Sequence, residues 1–142
     1  VTSLLTALSE YFLQTTVRKV KKSPLYGLII DLSTDRASCE SMLVYVTFWD
    51  EGSMSAVTGY LCCCRLLRKD AECLFETIVN LSQLRLDMKE RMATFCADGD
   101  NVMQGLRNGL AGRLRRHLHT FIGTHCASHK QVLAVQSPRE IG

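Results

Sequence analysis

The chain has 142 residues, of which 46% are apolar and 22% charged, with two prolines and a formal net charge of +3. That is enough for one domain with a sizeable core, too short for two full domains, and too apolar for global disorder. A charge of +3 does not by itself imply nucleic acid, but the basic residues cluster: Arg18, Lys19, Lys21 and Lys22; Arg65, Arg68 and Lys69; Arg107, Arg113, Arg115 and Arg116 with His117 and His119 beside them. Such clusters serve either as solvated faces and helix ends or as phosphate-facing surfaces. The seven cysteines are odd in number and lack the paired spacing of a secreted disulfide scaffold, so they read as reduced. Ser9, Glu10 and Gln14 interrupt the N-terminal apolar residues, so no cleavable leader is expected there, and no apolar run is long enough to span a membrane.

In chain order, Leu5, Leu8, Phe12 and Thr15/Thr16 fall at helical spacing, predicting an amphipathic helix over residues 3–20 that Ser23-Pro24 ends. Leu25 to Asp31 reads as a central strand. Ser41 to Trp49 and Ala56 to Cys64 read as two more, joined through Glu51-Gly52-Ser53 as a hairpin. Trp49, ending the second strand, could pack at an edge or stack on a base. Leu74, Ile78, Leu81 and Leu84 predict one long helix over 69–89, and Met92 to Ala97 a fourth strand. Met103, Leu106, Leu110 and Leu114 predict a helix over 101–116, weakened by Gly105, Gly109 and Gly112 at about 1 kcal/mol each relative to Ala. Thr120 to Gly123 is a candidate fifth strand, and His129 to Val135 the start of a last helix before Ser137-Pro138. The order predicts an α/β fold, a mixed sheet of about five strands flanked by helices, which fits a ribonuclease-H-like fold and several others. The expected organisation is a helix and basic linker over 1–24, a core over 25–136 and a tail over 137–142.

Two aspartates stand at predicted strand ends: Asp31 in Asp31-Leu32-Ser33-Thr34-Asp35, and Asp98 in Ala97-Asp98-Gly99-Asp100-Asn101. If both strands are central and parallel, the carboxylates converge where open sheets bind ligands. Hard carboxylate oxygens suit Mg²⁺ or Mn²⁺, which can serve phosphoryl transfer. Asp residues at such places also serve turns and helix caps, and Asp35, Asp98 and Asp100 are open to that use. Cys126 and His129, with His125 adjoining and Cys96 as a more distant candidate, supply only part of a zinc set; zinc is not expected, and packing at the entry to the last helix is the simpler role. Cys62 and Cys64 share one face of the third strand with Cys63 opposite.

The segment from Tyr26 to Asp35, the segment from Cys96 to Gly105 and the segment from His125 to Ala134 together resemble, in order, three blocks of hAT-type transposases and the genes derived from them. The resemblance covers roughly residues 1–135. It implies the N-terminal part of a ribonuclease-H-like domain, incomplete in this chain, with Asp31 and Asp98 as two catalytic, metal-binding acids. Asp35 belongs to the same motif, Asp100 replaces a usual small residue, and Cys126 and His129 match a Cys-x-x-His block with a structural role. The family's third acid, a distant glutamate, finds no match, and Glu140 in the short tail is a poor substitute. The resemblance therefore implies a transposon-derived domain of the nucleus, with the cytoplasm as a second location, without catalysis of its own, binding DNA, chromatin, a protein partner or a second copy. Two rival expectations are a divalent-metal-dependent nuclease or strand-transfer domain using Asp31 and Asp98, and a protein-interaction or dimerisation module.

Overall fold

The computed structural model describes residues 2–127. Five strands form one sheet in the order β3-β2-β1-β4-β5, from β1 (Tyr26–Thr34), β2 (Glu40–Asp50), β3 (Ser55–Arg65), β4 (Met92–Ala97) and β5 (Ile122–His125). β1, β2 and β3 are antiparallel neighbours, whereas β4 and β5 run parallel to β1. An antiparallel trio followed by two parallel strands in this order is the ribonuclease-H-like arrangement, and the expected α/β fold with a mixed five-strand sheet is what the chain adopts.

Period-two patterning makes one face of this sheet. In β2, Met42, Val44, Val46 and Phe48 are buried while Leu43, Tyr45 and Thr47 between them are only half-buried. In β1 the buried positions include Tyr26, Leu28 and Ile30, and in β4 they include Phe95 and Ala97. All of these residues join one core with Val20 of α1 (Thr2–Lys22), Leu74 and Ile78 of α2 (Ala71–Asn80), Met88 of α3 (Met88–Arg91), Met103 of α4 (Asn101–Gln104), and Leu110 and Leu114 of α5 (Leu110–His117). The described helices thus cover a single side of the sheet.

α1 runs as its spacing predicts, but the expected apolar face is not what it buries. Leu4, Leu5, Leu8, Tyr11 and Phe12 are exposed, and contact with the core comes from Leu13, Val17 and Val20 in the later turns. Those turns are the ones lying over β2 and β3. The guanidinium of Arg91 donates to the carbonyls of Val20, Lys21 and Ser23, satisfying acceptors that a helix C-terminus leaves without partners. Among the basic clusters, Lys19 pairs with Asp50, and Arg68 with Asp70 and Glu72.

Two predicted helices are each broken in two. The single helix expected over 69–89 begins as foreseen, with the Asp70 carboxylate accepting from the Cys73 N–H at 2.8 Å, but after Asn80 it tightens into a 3-10 turn over Leu81–Leu84. Arg85 and Asp87 then adopt left-handed backbone angles (φ 55° and 48°), which no helix can continue. The turn drops Leu86 and Met88 into the core. The helix expected over 101–116 is interrupted between Gln104 and Leu110. A Cβ at Gly109 would lie 2.4 Å from the backbone nitrogen of Gly105, so the chain crosses itself at a distance that only glycine permits. The break leaves Leu106 exposed rather than in line with Met103, Leu110 and Leu114. β5 lies two residues later than expected, at Ile122–His125, and the helix expected from His129 falls outside the described residues.

Candidate metal-binding and nuclease site

β1 extends three residues beyond Asp31, because β2 continues to pair with it through Asp31↔Leu43 to Thr34↔Glu40. The parallel ladder to β4 stops earlier, at Ile29↔Cys96. Asp31 therefore lies inside the strand rather than at its end, at the point where β1 is still held on one side and has parted from β4 on the other. Carrying the parallel register two residues past Ile29↔Cys96 sets Asp31 level with Asp98. Side chains alternate along a strand, so Asp31 falls on the side away from Ile30, which points into the core, while Asp98 is the first residue past β4. Asp31 is exposed and Asp98 half-buried.

The loop carrying Asp98 is fixed from below. The Gln104 side-chain amide donates to the carbonyls of Ala97 (3.4 Å) and Thr124 (3.3 Å), tying α4 to the ends of β4 and β5. The Cys126 N–H donates to the same Ala97 carbonyl at 2.7 Å. A methyl group on Gly99 would lie 3.4 Å from Nδ1 of His125, which places that imidazole beside the Asp98-Gly99 turn. The sequence drew attention to His125 only as a neighbour of Cys126, and gave Gln104 no role; a polar residue inside a short helix carries no signal of which carbonyls it will reach.

The other candidates are distributed differently. Asp35 is a turn residue: its Oδ1 accepts from the N–H groups of Ala37 (2.8 Å) and Cys39 (2.9 Å) and closes the β1–β2 connection. Asp100 precedes α4 as its cap residue without a side-chain cap bond, its carbonyl accepting from Met103 and Gln104. Cys126 sits just past β5, and His129 lies outside the described residues. Among the described residues no group of three or more His, Cys, Asp or Glu side chains is placed to hold a metal ion.

Two buried side-chain polar atoms have no hydrogen-bond partner among the described residues, Tyr26 Oη and Asp98 Oδ1. Burial pushes the Tyr26 phenol up to about 12, so it is a neutral group whose isolation costs little by comparison. A carboxylate oxygen out of water and without a donor is a much larger defect, of the kind a cation removes. The pair fits Mg²⁺ or Mn²⁺ in donor type, since such ions take one or two carboxylates and complete their shell with water and substrate phosphates. At the same end of the sheet stand Arg36 in the β1–β2 turn, Arg65 at the end of β3, Lys69 just after it, and Arg107 after α4; Arg36, Lys69 and Arg107 are exposed, with no carboxylate within 4.0 Å among the described residues.

No protein-family model matches the chain, and no curated protein sequence does. Among solved structures it is similar to endonuclease V of Ciona intestinalis in complex with a 24mer DNA containing an inosine followed by a ribo-adenosine, at 15% identity and a TM-score of 0.44, over 87% of this chain and 58% of that one. A variant of the same Ciona protein with a 23mer DNA gives 16% identity and a TM-score of 0.44 over 84% and 57%. The catalytic domain of human endonuclease V gives 11% and 0.38 over 94% and 67%. The chain thus spans less than three fifths of the length of the Ciona structures. These matches correct the expectation drawn from the hAT-type motifs. The similar solved structures are endonuclease V nucleases, so the reading as a domesticated transposon remnant without catalysis is withdrawn. None of the described helices is long and apolar enough to cross a membrane.

Proposed function

We propose that the chain is a divalent-metal-dependent nuclease domain in which the carboxylates of Asp31 and Asp98 hold Mg²⁺ or Mn²⁺ for hydrolysis of a phosphodiester bond in nucleic acid. The observation that carries this reading is the buried, unpartnered Asp98 Oδ1, one residue past the end of the strand that runs parallel beside that of Asp31. Both carboxylates are acceptor-only when ionised, and among the described residues neither is used as a cap or turn acceptor in the way Asp35 is. The bound cation supplies water activation and charge neutralisation at the phosphate. The remaining tasks fall to side chains of this chain. Arg36, Lys69 and Arg107 attract and orient the phosphate backbone. His125, beside Gly99, adds an imidazole next to the Asp98-Gly99 turn.

The test is cleavage of end-labelled single-stranded DNA, duplex DNA and RNA, with an inosine-containing DNA of the kind the Ciona proteins hold included as a probe. Mg²⁺ or Mn²⁺ should support cleavage and a chelator abolish it. Asp31→Asn and Asp98→Asn should each lower it by at least about 100-fold while the fold is retained. Cleavage that persists at the wild-type rate in both folded variants would refute the assignment.

A further inference from the structure

The C-terminal end of β3 holds a cluster that the nuclease reading does not use. Cys62 and Cys64 have their sulfurs 3.7 Å apart, neither is bonded into a disulfide, and both are partly accessible. They pair with Val44 and Met42 of β2, on the core-facing side of the strand, and Cys63 between them is exposed on the other. Cys62 and Cys63 line a groove of about 570 Å³ between α1 and β3, together with Phe12, Leu13, Thr16 and Leu61, so small reagents can reach Cys62, and Cys64 is itself partly accessible.

We propose that Cys62 and Cys64 form a thiol-oxidation site that reacts with hydrogen peroxide and closes to an internal disulfide. Three features support it. The two sulfurs share a hydrogen bond in which either thiol can donate, and this contact brings Cys64 down to about 7 and raises Cys62, so that one partner is a nucleophilic thiolate near neutrality and the other a retained thiol. A thiolate with a second thiol in reach is the arrangement that turns a sulfenic acid into a disulfide. β3 is also an edge strand with a bulge between Val44 and Tyr45 of its partner, beside Cys62. Cα atoms two apart on an extended strand are separated by about 6.7 Å, near the upper end of the disulfide range, so closure needs the strand to bend. The free edge and the bulge give it room to do so.

The chemistry balances with peroxide as the oxidant. The Cys64 sulfur takes one peroxide oxygen as the O–O bond breaks, forming a sulfenic acid and releasing hydroxide, which is protonated to water. The Cys62 sulfur, losing its proton, then attacks the Cys64 sulfur; the S–O bond breaks and the hydroxyl leaves as a second water. Two thiols lose two electrons in all, and peroxide is reduced to water.

The experiment treats the reduced chain with stoichiometric hydrogen peroxide and follows intact mass, thiol count and peptide mapping. The expected result is loss of two of the seven thiols, a decrease of about 2 Da, a Cys62–Cys64 bridge in the peptide, and full reversal by dithiothreitol. Dimedone added during oxidation of wild-type protein should label Cys64 first, a readout that needs no variant. Cys62→Ser should accumulate the labelled sulfenic acid, and Cys64→Ser should oxidise at the rate of the remaining cysteines. First labelling at Cys63, a disulfide-linked dimer as the main product, or equal labelling of all cysteines would each overturn the proposal.

Discussion

The two sides of the sheet differ in what they ask of the sequence. On the core side, Leu28, Ile30, Val44, Val46, Phe95 and Ala97 are covered by all the described helices and exposed by no more than 3%. On the other side, at alternate positions of the same strands, Ile29, Leu43, Tyr45 and Cys96 are half-buried, Asp31 stands among them, and Asp98 follows directly on β4. The same backbone thus carries stability on one side and the groups able to do chemistry on the other. Changes on the two sides should separate stability from function.

The largest expected effect lies on the core side. Phe95 is fully buried and stacks on Phe121 with ring centroids 6.2 Å apart. Phe95→Ala should lower the unfolding free energy in urea by about 3–5 kcal/mol. Tyr45→Ala, on the open side, loses an edge contact with Tyr60 and should cost about 1 kcal/mol or less. Equal losses at the two positions would break the comparison.

Next is the backbone crossing between α4 and α5. Gly109→Ala places a methyl group 2.4 Å from the Gly105 nitrogen and should destabilise the chain by about 1–3 kcal/mol, read in the same urea titration. A neutral result would mean that the two short helices can relax into the single helix their spacing suggests.

A smaller effect of opposite sense is expected at the acid. Asp98 carries a buried oxygen without a donor, so Asp98→Asn in metal-free buffer should leave the melting temperature unchanged or raise it, because the charged defect is removed. A clear fall in melting temperature would make Asp98 a structural residue.

The smallest concerns pH. Burial against Phe75, with Lys89 nearby, holds His117 below the usual imidazole value. The folded protein therefore favours the neutral ring, and the unfolded chain binds the proton first as pH falls. This contribution is full above about pH 6.5, declines as pH drops through that value toward the lower folded one, and levels off below it. His117→Gln should flatten that part of the stability profile and leave the neutral-pH value nearly unchanged.

The strands were legible because period-two alternation and β-branched runs are local signals; β4 runs over Met92–Ala97 as read, and β2 and β3 extend by one residue at each end. The helices were legible only as far as spacing decides them. Left-handed angles at Arg85 and Asp87 are imposed by the need to bury Leu86 and Met88, and neither residue type announces that conformation. Gly105 and Gly109 did carry a signal, but as helix weakeners rather than as a crossing point. α1 looked amphipathic by its first turns, yet it is the position of β2 and β3 that selects Val17 and Val20 for burial. At the acids, the sequence singled out Asp31 and Asp98 as strand-end carboxylates, and the parallel, adjacent β1 and β4 are the arrangement that pairing them requires. That Asp35 would be spent on a turn, and that Asp98 would keep an oxygen without a partner, depends on contacts made by residues distant in the chain.

The central claim is that Asp31 and Asp98 act as one cation site, and calorimetric titration of the folded chain with Mn²⁺ tests it most directly. The account predicts saturable binding by the wild type that is lost in both Asp31→Asn and Asp98→Asn. Binding that survives in either folded variant, or a folded wild type that takes up no Mn²⁺, would contradict it.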